Sequence, residues 1–350
     1  MKLIKYKLGD LIRQRRQKND STDLPICGVT RDGFIPPKQQ DADTSLYNVF
    51  YLKDFVFNPA RMELNAIVFN DRYEKAICSS LYEVFYVHRP EVILPEYLAL
   101  LVKQDWFTRY CKFMGSGSAR EYCRVANISE LEIEVPPIEF QAEMARDNQI
   151  IRDRIELKRR INDNLEATAQ ALYQELFVDN PDISEWKSGC VGDVLQLQRG
   201  HDLPRTEMLG GEYPVAGSTG TIGYHNQYTA ESPVIVMGRS GNIGNPRLYL
   251  CNCWTHNTSL YVKQIFHADP MWTYYMLKNL NYDSFVGGSA VPTLNRNDVH
   301  AYGIAIPPIE LQETFGKKVM KLIQFRETNL SEIAKLDELQ CTVLATISSR

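Results

Sequence analysis

Several stretches of this sequence carry residue types that perform chemistry elsewhere. A base methyltransferase holds its target amino group with a D/N-P-P-aromatic motif. Here Pro136-Pro137 follows Val135 and Pro307-Pro308 follows Ile306, and neither supplies a side-chain oxygen. Asn58-Pro59-Ala60 lacks the second proline and the aromatic. Pro181-Asp182-Ile183-Ser184-Glu185-Trp186-Lys187 imitates a nuclease PD…ExK site. Such a site needs its carboxylates on adjacent strands to clamp a metal. Asp182 and Glu185 are too close in sequence for that, so the segment reads as a linker. Cys251-Asn252-Cys253 with His256 lacks the C-x₂₋₄-C pair and second ligand pair of structural zinc, and neither Cys190 nor His225 sits in a pair. The two cysteines are expected to be buried in strands. Gly238–Gly244 (GRSGNIG) is not a dinucleotide fingerprint, and no Walker lysine follows any Gly-rich loop. No G-x-S-x-G elbow exists. The expectation is a chain without a catalytic centre, a metal or a cofactor.

What remains must be read from organisation. The 350 residues suggest two domains, and 44% hydrophobic content suffices for packed cores. No run approaches 18 apolar residues, so no membrane helix is expected. Charged residues follow Met1–Lys5 where a secretory signal would be apolar, and eight cysteines lack framework spacing. A cytoplasmic location with reduced thiols is the expectation. The net charge of −4 neither announces nor excludes DNA. Two basic clusters, Lys2–Lys18 and Arg152–Arg160, read as solvated faces.

The chain repeats itself. Residues 117–141 align without gaps on residues 288–312, with nine of 25 positions identical. Among these are Gly117/Gly288, Pro136/Pro307, Pro137/Pro308, Glu139/Glu310 and Gln141/Gln312. Leu8–Ile12 matches Val191–Leu195, Tyr86-Val87 matches Tyr261-Val262, and Pro95 and Tyr97 match Pro270 and Trp272. The repeat is half the chain, so this is a tandem duplication and not a solenoid. Each half opens with short strand-like runs (Asn65–Phe69, Tyr82–Val87; Pro233–Met237, Ser259–Val262), a helix or two, and Gly-rich turns. Each then meets a PPIE stop followed by a long helix.

After Pro137 no Pro or Gly occurs until Pro181, and after Pro308 only Gly316 interrupts. Ile151, Ile155, Ile161, Leu165, Leu172 and Leu176 form one stripe; Val319, Leu322, Leu330, Ile333, Leu336, Val343 and Ile347 form the other. The two helices are expected to pair with each other, antiparallel, because each begins from the opposite domain. Forty residues at ~1.5 Å each span ~60 Å, long enough for a ruler between two domains.

This layout resembles the specificity subunit of type I restriction–modification systems over essentially the whole chain. The residues that carry the resemblance are Leu8-Gly9-Asp10 and Val191-Gly192-Asp193 opening each half, GSTGTIGY at 217–224, GRSGNIG at 238–244, Phe57–Arg61, Cys78–Tyr82, and the two PPIE segments. It implies an α+β fold with two tandem-repeat globular target-recognition domains, separated by two long helices in an antiparallel coiled coil with pseudo-two-fold symmetry. The corresponding boundaries are 1–138 and 181–307 for the domains, and 139–180 and 308–350 for the spacer helices. It also implies a non-catalytic DNA reader, each domain recognising one half of a split, asymmetric site. The implied partners are double-stranded DNA, two modification subunits that bind S-adenosylmethionine and methylate adenine, and restriction subunits that use ATP and Mg²⁺. A coiled-coil adaptor bridging two proteins is the alternative of a different class. The first half departs from the pattern in having Asn65-Ala66 where a Gly-rich turn is common, and Arg120-Glu121-Tyr122 where the second has Val291-Pro292-Thr293.

Gly-rich loops let backbone approach phosphates, Arg reads guanine, and Asn or Gln reads adenine. On that chemistry the candidate DNA-binding residues of the second half are Arg199, His201, Ser218, Thr219, Tyr224, Arg239, Ser240, Asn242 and Ser289. Those of the first half are Asn58, Arg61, Ser116, Ser118, Arg120 and Arg124. Near-neutral charge fits a subunit whose partners share the phosphate contacts.

Overall fold

In a computed structural model of the chain, the described residues are 3–21, 23–37, 43–115, 122–208, 210–285 and 293–348. The chain divides into two units, Met1–Leu157 with Glu332–Arg350, and Lys158–Ser331. The first runs β1 (Ile4–Lys7), β2 (Ile12–Arg15), β3 (Ile26–Thr30), β4 (Gly33–Ile35), β5 (Asn48–Tyr51), β6 (Phe55–Phe57), β7 (Ile67–Phe69), β8 (Lys75–Cys78), β9 (Glu83–Val87), α1 (Pro95–Leu101), α2 (Asp105–Met114), α3 (Val125–Ser129), β10 (Glu132–Val135) and the start of α4 (Ile138–Tyr173). The second continues with β11 (Lys187–Cys190), α5 (Val191–Val194), β12 (Leu195–Arg199), β13 (Tyr213–Gly217), β14 (Gly220–His225), β15 (Val234–Gly238), β16 (Gly244–Tyr249), β17 (Trp254–Thr255), β18 (Ser259–Ile265), α6 (Pro270–Lys278), α7 (Arg296–His300), β19 (Gly303–Ile306) and α8 (Ile309–Ser348). The last turns of α8 belong to the first unit.

The two units share one plan. A four-stranded antiparallel sheet has the order β2-β9-β6-β7 in the first and β12-β18-β15-β16 in the second. A second sheet holds a hairpin with a parallel neighbour: β3–β4 beside β8, and β13–β14 beside β17. The run Phe55-Val56-Phe57 is hydrophobic throughout because both its faces are buried. Phe55 and Phe57 enter the helix-side core with Leu8, Phe85 and Leu98, while Val56 enters a core shared with the second sheet. Ile235 and Met237 face Trp272 and Tyr275, and Val234 and Val236 face the other way.

A ribbon closes each unit. β1 pairs antiparallel with β10, Ile4 opposite Val135, and β11 with β19, Lys187 opposite Ile306. The Pro-Pro pair follows each ribbon at once and ends it, since proline offers no donor to a ladder. Gln141 and Gln312, the duplicated glutamines, are 0% and 1% exposed. Gln141 accepts from Leu94 N at 2.9 Å and donates to Pro136 O at 2.8 Å and Val92 O at 2.9 Å. Gln312 accepts from Asp269 N at 3.0 Å and donates to Pro307 O at 2.8 Å. Each long helix is thereby tied to its own sheet domain at its first turn. Gly316 is required by packing: a Cβ there would lie 2.4 Å from a carboxylate oxygen of Asp269, the cap of α6.

Within each unit the long helices run antiparallel. In the first, Ile151, Ile155, Ile333, Leu336 and Val343 form a seam, flanked by Asn148–Gln340 at 2.9 Å and the ion pair Arg154–Glu332. In the second, Asn162 faces Asn329 at 2.9 Å and Glu166 faces Arg326 at 2.9 Å. Leu330, expected in the apolar stripe, is instead 46% exposed, and its neighbour Asn329 is 1% exposed in the seam. A buried, paired Asn fixes register at a cost in stability. Cys251 also departs from expectation: it is exposed, and only Cys253 is buried.

Candidate functional site

In the second unit three turns converge. They are the hairpin tip Ser218-Thr219, the loop 239–243 after β15, and the turn His256–Thr258 before β18. Thr258 is the node. Its hydroxyl accepts from Ser218 N at 3.3 Å, and its carbonyl accepts from Arg239 N at 3.0 Å. Asn242 Nδ2 donates to Ser218 O at 3.1 Å, and Asn242 Oδ1 accepts from Asn245 Nδ2 at 2.9 Å. The crossing is so close that a Cβ on Gly238 would sit 1.5 Å from Asn242 O. The glycine is therefore a requirement of main-chain approach.

The candidates of this unit have distinct surroundings. Arg239 has its N–H and carbonyl fixed by Thr258 and Leu294, and its guanidinium makes no hydrogen bond or ion pair among the described residues. Ser240 forms a bridge to Thr293. Thr219 and Tyr224 are exposed on the hairpin. Arg199 lies at the end of β12, 3.8 Å from Asp202 in an exposed pair of little energetic weight. His201 is held by its backbone to Thr255 at 2.7 Å, with its ring 6.2 Å from Trp254 and from Tyr261. Ser289 lies outside the described residues.

In the first unit the corresponding loops surround a cavity of about 790 Å³ that brings together Asn58, Arg61, Ser80, Tyr82, Tyr122 and Arg124. Asn58 caps the short helix Pro59–Leu64 through Ala60 N at 3.1 Å. Arg61 is exposed at the kink of that helix, with φ −137°. Arg124 Nη1 lies 3.0 Å from Glu83, its guanidinium 5.7 Å from the ring centre of Tyr122. The other Glu83 oxygen accepts from Val125 N at 2.7 Å. Asn65 explains the departure at Asn65-Ala66: it adopts φ 54°, the left-handed conformation that Asn tolerates in place of Gly. Ser116, Ser118 and Arg120 lie outside the described residues.

Two features were not legible in the residues alone. Thr258 carries no compositional signal, although it organises the second face. The hairpin Thr30–Gly33 is the counterpart of Gly217–Gly220, and its Asp32-Gly33 pair was the available signal. The basic clusters lie on solvated faces as expected, with individual members paired there and Arg15 drawn inward. Arg15 makes two hydrogen bonds to Asp54 between the rings of Tyr51 and Tyr86. Lys7 pairs with Glu130, Arg152 with Asp71 and Arg154 with Glu332. Among the described residues no three His, Cys, Asp or Glu side chains are grouped as a metal site. No described helix is long and apolar enough to cross a membrane.

The model of the type I restriction modification DNA specificity domain family matches residues 5–167 and 183–340. The chain is 28% identical over 125 residues to the HindI specificity subunit of Haemophilus influenzae, covering 35% of this chain and 27% of that one. It is 26% identical over 132 residues to the MjaIX specificity subunit of Methanocaldococcus jannaschii, covering 33% and 31%. The alignments thus span less than a third of either curated relative. A crystal structure of a type I restriction–modification S subunit from M. genitalium matches 99% of this chain and 96% of its own, with a TM-score of 0.69 and 16% identity, a likeness of fold.

Proposed function

The chain belongs to the type I restriction–modification DNA specificity family, and from that premise we propose that it is the non-catalytic DNA sequence-recognition subunit of a type I restriction–modification complex. Each sheet domain, 1–138 and 181–307, reads one half of a bipartite, asymmetric site. Two modification subunits dock on the chain, bind S-adenosylmethionine and methylate adenine, and restriction subunits join to cleave with ATP and Mg²⁺. The observation that carries the reading is the repeated face: in both units the loop after the third strand of the main sheet meets the turn before its second strand, beside an arginine, exposed in the first unit and half-buried in the second. Arginine in that setting reads guanine in the major groove or holds phosphate.

The test is capture of duplex DNA by the assembled complex. A library of duplexes should yield one bipartite motif only when this chain is present, and the chain alone should neither methylate nor cleave. Enrichment without a motif would favour the adaptor reading. The helices are proposed to set the spacer between half-sites. Ala169 is buried in the second core, so a length change belongs elsewhere. Four residues inserted between Leu157 and Lys158, with four between Ser331 and Glu332, add about 6 Å. The tolerated spacer should lengthen by about one or two base pairs. An unchanged spacer in an active complex would remove the ruler from the proposal.

A further inference from the structure

The duplication puts a cavity at the same place in each unit, between the last strand of the main sheet, the first short helix and the long helices, and the two are filled differently. In the second unit Glu166 occupies it. One carboxylate oxygen takes the Lys278 ammonium and the Tyr275 hydroxyl, and the other takes Arg326 Nη1 at 2.9 Å. Two cations share one built-in anion.

In the first unit the cavity measures about 550 Å³. Its equivalences can be counted. From Pro95 and Pro270, which open α1 and α6, Ala99 stands where Tyr274 does and Lys103 where Lys278 does. Gln104 and Asn279, equivalent on the same count, bond to the carbonyl of Leu344 on α8 and to the amide of Gln170 on α4 respectively. Four residues before those on each helix stand Gln340 and Glu166. The lysine is kept, the carboxylate is replaced by a neutral amide, and a tyrosine ring is replaced by a methyl group that leaves room.

The remaining charge is cationic. Arg31, Lys103, Arg146 and Arg152 line the cavity with Asp32 and Glu96. Glu96 is paired with Lys53 at 3.0 Å, and Arg152 reaches Asp71 at 3.4 Å. Lys103 Nζ donates to the carbonyls of Arg31 and Ile67, both at 2.7 Å. The guanidiniums of Arg31 and Arg146 make no hydrogen bond or ion pair among the described residues. Desolvation lowers the Lys103 ammonium to about 8, with repulsion from Arg31 and Arg152 added and attraction from Asp32 opposing. A group in that condition is stabilised by acquiring an anion.

We propose that this cavity of the first unit binds a phosphate group, in the place that the Glu166 carboxylate fills in the second. Several guanidinium forks around one centre match the oxygens of a phosphate. The phosphate comes either from a nucleic-acid backbone or from a free phosphate compound. Only the first of these rests on the function proposed above.

The test uses the full chain and inorganic phosphate, followed by ³¹P NMR and calorimetry in the absence of DNA. Wild type should bind saturably at one site, with affinity falling as pH rises through 8 and Lys103 loses its proton. Gln340→Glu installs the arrangement of the second unit and should weaken binding about tenfold or more, as should Arg146→Gln at an exposed position. Unfolding curves check that both variants fold. No saturable binding by wild type, or binding indifferent to both substitutions, overturns the proposal. A second arm assigns the source. If backbone phosphate occupies the cavity, Arg146→Gln lowers the salt slope of duplex binding by about one, and inorganic phosphate competes with duplex. An unchanged slope without competition assigns a free compound.

Discussion

The loop after β15 and the loop after β6 occupy equivalent places and are held by different means. In the second unit the loop is short and crosses Gly238 at main-chain distance, with Thr258 as the node through its carbonyl and hydroxyl and the Asn242 amide closing the crossing. In the first unit the loop from Asn58 to Ala66 winds through a short helix and is held by side chains. Asn58 caps it, Asn65 turns it and reaches Val102 O and Thr108, and Glu83 fixes Arg124 across the cavity. A face built on main-chain approach leaves the half-buried Arg239 guanidinium unbonded among the described residues but cannot accept a methyl group beneath it. A face built on side chains tolerates backbone change and depends on its charges.

The sharpest way to break this comparison is Gly238→Ala. The clash with Asn242 O should cost about 3 kcal/mol, on the scale of overpacking, and abolish reading of the second half-site while the first survives. Asn65→Gly in the first unit keeps the left-handed turn but loses the bonds to Val102 O and Thr108, so it should cost less, about 1–2 kcal/mol, and leave the second half-site read. Denaturant unfolding together with the methylated motif decides between them; equal damage would show that the two loops are held alike.

Next in size is the seam of the long helices. Asn162→Leu leaves the buried Asn329 amide N–H without its partner, while Lys158 still donates to Asn329 Oδ1, and should destabilise by about 1–3 kcal/mol. Asn162→Leu with Asn329→Leu should recover most of that loss, because apolar replacement of both members of a buried polar pair is nearly neutral. A double variant no better than the single would show that the pair contributes more than its mutual bond.

Arg239→Ala and Arg124→Ala compare the faces directly. Each should relax its own half of the motif, by about 1–3 kcal/mol where the contact is bidentate to guanine. A phosphate contact would instead weaken all sequences evenly and reduce the salt slope by about one. Because Glu83 already takes part of the Arg124 guanidinium, the loss at Arg124 should be the smaller.

The smallest effect concerns acid. Gly9 packs on Ser129 and Gly192 packs on His300, which stand at equivalent places. His300 Nε2 accepts from Leu197 N at 2.9 Å, beside an irregularity in the β12–β18 ladder. Burial first, and Arg296 next, lower its pKa below the ordinary 6.5. The stability it confers is therefore complete above pH 6.5 and is lost as pH falls below that value through the folded-state pKa. The second unit should soften in acid by under about 1 kcal/mol more than the first, and His300→Gln should flatten the difference. Trp186, Trp254 and Trp272 belong to the second unit and Trp106 to the first, so tryptophan fluorescence against pH reads it.

The duplication, the strands at 67–69, 83–87, 234–238 and 259–265, and both long helices were legible because period and punctuation carry them. Thr258 was not, because a node is defined by what crosses it and has no composition of its own. Leu330 was misplaced because the helical period drifts against a seven-residue stripe, so a shift by one residue puts Asn329 inside. Cys251 escapes burial because the Cys251-Asn252 segment lies outside any strand, and only Cys253 forms a bridge, with Ala230.

Gln141 and Gln312 tie each helix to its domain through main-chain atoms alone: the N–H of Leu94 or Asp269, the carbonyl of Val92, and the carbonyl of the first proline of each pair. Every polypeptide offers those atoms whatever its side chains, so the joint does not inspect the domain it receives. A chain spliced within Pro-Pro-Ile-Glu and its glutamine onto a different domain would rebuild the same joint on the far side. The make-up of a domain and the fastening that holds it are thereby independent of one another.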